Sequence, residues 1–143
     1  WLVVERGCEA MAGTGVARAR SYKDLEVWRK GLALAKSVYQ ATAKFPKEEK
    51  FGLVSQMRRA AVSIPSNIAE GQARQGTREY LHFLSHPSGS LAELETQLLL
   101  SVELGYCDRA GADGIAAGIT ELQKMLAAIR RTLSIAGPLA TNH

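Results

Sequence analysis

Along four stretches of this chain, apolar residues recur at alternating spacings of three and four, the period that turns one face of an α-helix toward a core. In the first stretch Leu25, Trp28, Leu32, Ala35, Tyr39 and Thr42 keep that spacing, and Val27, Leu34, Val38 and Phe45 broaden the stripe. They predict a helix from about Tyr22 to Phe45, with Ser21 or Asp24 as N-cap and more than one neighbouring element. Glu26 and Lys30 stand four apart on its polar side, in the favourable order for an ion pair. FPKEEKFG, residues 45 to 52, then turns the chain: Pro46 disfavours helix in the residue before it, and the polar run belongs at a surface.

In the second stretch Val54, Met57, Ala61, Ile64 and Ile68 hold one register straight through Pro65. An interior proline removes a backbone hydrogen bond and crowds the carbonyl four residues back, at a cost of about 3 kcal/mol. A helix that stopped at Ile64 would have no reason to resume the same register at Ile68. One helix over about 50 to 73, kinked at Pro65, is therefore expected. Ser63 and Ser66 are expected to help satisfy the backbone groups released at the bend, and Gly71 and Gly76 to bracket the helix end in easily reached left-handed conformations.

Thr77 is placed to cap a third helix with Glu79 in its first turn; Leu84, Leu91, Leu94 and Leu98 mark its stripe, flanked by Leu81, Leu99 and Val102. SHPSGS, residues 85 to 90, opposes helix formation, yet the heptad from Leu84 to Leu91 survives it and favours a second kink at Pro87. Gly105 is a natural stop. Asp108 caps a fourth helix reaching about Ser134, with Ile115, Ile119, Leu122, Leu126, Ile129 and Leu133 in register. Gly111, Gly114 and Gly118 weaken its first turns and permit close helix contact. Four amphipathic helices with short connections define the fold class: all-α, an antiparallel up-down-up-down four-helix bundle over residues 21–134. Residues 1–20 and 135–143 are expected to be disordered, the first ten as an extension ahead of Met11.

A length of 143 residues with 46% hydrophobic and 22% charged residues fits one globular domain. No uninterrupted apolar run approaches the ~18 residues that a membrane-spanning helix needs, and a cytoplasmic location is expected. Cys8 and Cys107 lie far apart, without the spacing of a zinc site or a disulfide framework. Net charge is +4, unevenly spread: residues 18 to 78 hold 13 − 5 = +8, residues 79 to 143 hold 4 − 7 = −3, and residues 1 to 17 hold 1 − 2 = −1. The basic half points to a polyanion or an acidic partner, or else to neutralisation of one half by the other.

The chain carries little that could do covalent chemistry. Glu79 and His82 make a single Glu-x-x-His, whereas a di-iron bundle needs two plus further glutamates. His82 and His86 lie four apart but lack a third ligand, so no metal and no cofactor is expected. Nucleophile elbows, phosphate-binding loops and dinucleotide glycine fingerprints are absent, and no enzyme activity is expected. Two polar constellations remain. Arg59, Ser63, Asn67, Glu70 and Arg74 form a stripe on the second helix; Ser90, Glu93 and Glu95 stand on the third. They serve either arginine–carboxylate pairing between adjacent helices or contact with another subunit or nucleic acid. A candidate nucleic-acid surface combines Arg29, Lys30, Lys36, Arg58, Arg59, Arg74 and Arg78, whose contacts would be with phosphates rather than bases.

SYKDLEVWRKGLALAKSVYQATAKFP, FGLVSQMRRAAVSIPSNIAEGQAR and GSLAELETQLLLSVELGY closely resemble the four-helix-bundle proteins encoded in intervening sequences of 23S rRNA genes. The likeness runs from about Ser21 to Leu133, and RRAAVSIPSNIAEG is its most specific part. It implies a homo-oligomeric ring, with five subunits as the expected number, and kinship with the accessory protein of diversity-generating retroelements, which binds a reverse transcriptase and nucleic acid. Arg58, Arg59, Ser63, Pro65, Asn67, Glu70 and Gly71 match the family's second-helix signature; Ser90, Glu93 and Glu95 match the third. SHPS at 85 to 88 departs from the family's uninterrupted helix. The expected function is a non-enzymatic oligomeric bundle binding RNA, DNA or nucleoprotein without base specificity. The alternative is a protein-binding scaffold ring for a polymerase-like partner.

Overall fold

The computed structural model describes the backbone of residues 22–74 and 76–141 and the side chains of 25–74 and 76–134. The order of elements is α1 (Tyr22–Thr42), a 3-10 turn (Lys47–Glu49), α2 (Leu53–Gln72), α3 (Thr77–Glu103) and α4 (Arg109–Thr141), with no strand among the described residues. The expected disorder of residues 1–20, the Ser21 cap and the side chain of Asp24 lie outside them. α4 runs on to Thr141, past the boundary expected at Ser134. No described helix is long and apolar enough to cross a membrane.

Each helix packs on its chain neighbours, and α1 packs on α4 to close the bundle. The contacts pair ascending numbers on one helix with descending numbers on the next. Gly31 faces Pro65 whereas Thr42 meets Arg58; Gly71 faces Tyr80 whereas Met57 meets Ser101. Pro65 and Pro87 both lie inside unbroken helices and are both buried. In α3 the buried row Tyr80, Leu84, Pro87, Leu91, Leu94, Leu98 and Ser101 is a heptad in which the proline occupies a core position. Its ring is used as apolar volume.

Helix ends follow local chemistry. Asp108 Oδ1 accepts the Gly111 N–H at 2.6 Å, the N-cap bond expected for α4. Gly105, at φ +79°, ends α3: its N–H bonds the Val102 carbonyl and the Tyr106 N–H bonds that of Ser101, a Schellman pair. Two expectations fail here. The N-cap of α3 is Gly76 in extended backbone, and Thr77 is already helical. Gly71 and Gly76 do not take left-handed backbone; Gly71 is inside α2, buried, and the helix closes on right-handed Ala73.

The phase of α1 also differs from expectation. Val27, Leu34 and Val38 are its buried row, with Ala35, Thr42 and, in the following connection, Phe45. Leu25, Trp28 and Leu32 are half-buried, and Tyr39 is 43% exposed. α1 carries two apolar rows, and the one that enters the core is the one α2 and α4 can both reach. Leu99, placed beside the α3 stripe, is 63% exposed. Lys30 reaches across to Glu121 on α4, at 2.8 Å, instead of pairing with Glu26 on its own helix. The Glu121 bond, then its charge, raises the ammonium pKa, and Glu26 adds only a weaker field.

Candidate functional site

The segment SIPSNIAEG places different residues on two seams. On the α1 side, a Cβ added to Gly31 would stand 3.4 Å from Pro65 Cβ, so the glycine gives the proline ring its place. Seven residues earlier, the Arg58 side chain closes the end of α1. Its Nε donates to Thr42 Oγ1 at 2.9 Å, its Nη2 to the Tyr39 carbonyl at 3.2 Å, and its guanidinium carbon lies 4.4 Å from the Tyr39 ring centre. Thr42 in turn donates to the Val38 carbonyl at 2.7 Å. The Tyr39 carbonyl already accepts the Ala43 N–H at 3.1 Å, so Arg58 adds a second donor there, and its charge meets the negative end of the helix dipole.

On the α3 side, the Ser63 and Ser90 hydroxyls share a hydrogen bond of 2.6 Å, joining two residues of the motif across the seam. Ser63 also donates to the Ala60 carbonyl at 2.7 Å, and Asn67 Nδ2 donates to the Ser63 carbonyl at 2.7 Å. Neither bond reaches the Ala61 carbonyl, the group that Pro65 leaves without its donor, and Ser66 is exposed. The serines therefore fix helix-to-helix register more than they repair the proline. Farther along, Gly71 lets α3 approach so closely that an added Cβ would stand 3.0 Å from Tyr80 Cδ1. Arg74 lies over the Phe83 ring at 4.7 Å and binds Glu70 Oε1 at 3.2 Å.

The basic set inferred from sequence divides accordingly. Lys30, Arg58 and Arg74 hold the partners described above, and Arg29, Lys36, Arg59, Arg74 and Arg78 are exposed. Arg29 and Lys36, seven apart, project from one side of α1; Arg59 is on α2 and Arg78 in the first turn of α3. The arginine–carboxylate pairing expected between adjacent helices takes another form. Arg74 pairs within α2, Glu93 accepts from Gln97 Nε2 at 3.2 Å within α3, and Glu95 is exposed on the opposite flank of α3 from Ser90 and Glu93.

Among the described residues no group of three or more His, Cys, Asp or Glu is placed to hold a metal. His82 and His86 stack edge to face, 5.2 Å between ring centres, on the surface. Burial, then the charge of Asp108, raises the Cys107 thiol pKa against a smaller opposing effect of Lys44.

Two features escaped sequence reasoning. Glu49 accepts the Leu53 N–H at 3.2 Å with one carboxylate oxygen and the Tyr106 hydroxyl at 2.9 Å with the other, and this second bond raises the phenol pKa. The run Leu98-Leu99-Leu100 buries only its first member; Leu99, Leu100 and Leu104 are 63, 48 and 49% exposed. Three consecutive leucines turn through about 200° of helix, which was signal enough that some must face out.

The model of the 23S rRNA-intervening sequence protein family matches residues 23–128. The crystal structure of a protein of unknown function from the S23 ribosomal protein family of Bacteroides thetaiotaomicron is similar, with TM-score 0.70 and 26% identity over 76% of this chain and 98% of that one. No curated protein matches the chain. With the family model spanning all but the last turns of the bundle, the chain belongs to the 23S rRNA-intervening sequence protein family.

Proposed function

We propose that this chain is a non-enzymatic bundle that assembles with copies of itself, five in the ring its family resemblance implies, and binds RNA or nucleoprotein in the cytoplasm without reading bases. The observation that carries this reading is the +8 of residues 18 to 78 together with the exposure of Arg29, Lys36, Arg59 and Arg78. Such cations release counterions from a phosphate backbone, and a ring multiplies a modest patch into avidity where several sites engage at once. Titrating generic RNA against the protein at increasing salt tests it. The logarithm of the affinity should fall linearly with the logarithm of salt, and Arg78→Ala should reduce that slope by about 1. No binding at low salt overturns the reading.

The exposed leucines of α3 favour a second reading, a protein-binding scaffold ring for a polymerase-like partner. A partner that stays bound after complete nuclease digestion supports it over the first.

A further inference from the structure

α1 carries a second apolar row that its own bundle covers only in part. Leu25, Trp28 and Leu32 are half-buried and Tyr39 is exposed; on α2 beside them Val62 is 42% exposed. Lys36, Arg58 and Arg59 border this seam with positive charge. The outward face of α3 has the opposite character. Leu99 and Leu100 are exposed beside Glu95 and Glu103, and no Lys or Arg occurs between Arg78 and Arg109.

We infer that the acidic leucine face of α3 in one copy docks on the basic apolar seam between α1 and α2 of the next. The inference rests on the assembly reading above and assigns its interface. Charge decides the pairing. A same-face contact through α3 would set Glu95 and Glu103 against their own copies, and one through the α1–α2 seam would set cations against cations, which costs free energy in a desolvated contact. The head-to-tail contact places leucines on Trp28, Leu32 and Val62, with Glu95 and Glu103 on the cations at the rim. Because the two faces lie on different helices the contact is heterologous, the head-to-tail kind from which a cyclic ring is built. Arg78, at the turn between α2 and α3, remains outside this contact and open to a polyanion.

The test measures the mass of the full chain by sedimentation equilibrium, with far-UV circular dichroism and melting as fold controls. Leu99→Lys puts a cation into the acidic face, and Val62→Glu puts an acid into the basic seam; both positions are exposed. Each variant alone should fall to the monomer mass. Mixed together they should form a one-to-one dimer, because the first keeps an intact seam and the second an intact α3 face, while neither can propagate. Should either variant lose helicity, Leu100→Lys and Arg59→Glu take their places. An assembly that persists unchanged in both variants, or a mixture that stays monomeric, overturns the interface alone. A wild-type chain that is monomeric at every concentration overturns the assembly reading with it.

Discussion

Where α2 meets α3, a Cβ added at Gly71 would stand 3.0 Å from Tyr80 Cδ1 and 3.1 Å from Phe83 Cβ; on the α4 flank that faces α1, one added at Gly114 would meet nothing within 4 Å. The first seam is closed by that approach and by the Ser63–Ser90 hydroxyl bond. The second carries an open groove of about 520 Å³ lined by Ser37, Gln40, Lys44 and Gly114, and is held by the surface pair Lys30–Glu121 and by Leu34 against Gly118. Glycine thus does two different things in one bundle. At Gly71 the missing side chain is filled by a neighbour and sets the interhelical distance; at Gly114 it is filled by solvent.

Substitutions should separate the two seams, most strongly at Gly71. Gly71→Val forces Tyr80 and Phe83 to move and should lower stability by about 2 kcal/mol, read from the midpoint of urea unfolding. Ser63→Ala and Ser90→Ala should each cost about 1 kcal/mol, with the double variant little worse than either, because one shared bond is lost only once. Gly114→Ala should act in the other direction, raising stability by about 0.5 kcal/mol, since the methyl enters open space and the helix interior loses a glycine. A destabilised Gly114→Ala chain would show that the α1–α4 seam is as tight as the other.

The smallest effect is expected at Lys30. Its pair with Glu121 is exposed and salt-screened, so Lys30→Met should leave the melting temperature within error at neutral pH. The ammonium pKa is raised by Glu121 in the folded chain, so whatever the pair contributes is present below the ordinary lysine value. It is lost as pH rises through the raised one. Any difference between wild type and Lys30→Met should therefore vanish in strongly alkaline buffer.

The parts of this architecture that sequence could reach are those decided locally. The register across Pro65, the Asp108 cap and the Gly105 stop depend on a few consecutive residues. Motif residues Ser63 and Ser90 meet each other across the seam, and Gly71 sits under Tyr80. The parts that sequence misread depend on a choice between equals. α1 offers two rows of similar apolarity, and only the positions of α2 and α4 decide that Val27, Leu34 and Val38 turn inward. Lys30 has a carboxylate four residues away and another 91 residues away in sequence (121 − 30), and the distant one is nearer in space. Arg58 looked like surface charge, yet it closes the end of α1, a role visible only once Thr42 and Tyr39 lie beside it.

Glu49 gives one carboxylate two tasks at opposite ends of a 57-residue separation, holding the first amide of α2 and the phenol that follows α3. Two connections that would otherwise breathe independently are thereby tied into one opening event. Amide hydrogens at Leu53 and in the Gly105–Tyr106 turn should then exchange at matched rates, and Glu49→Gln should uncouple them. Ionising Tyr106 removes the shared hydrogen without any mutation, so the same end of the molecule should loosen at high pH, above the ordinary tyrosine range. The bundle would come apart at one end before the other.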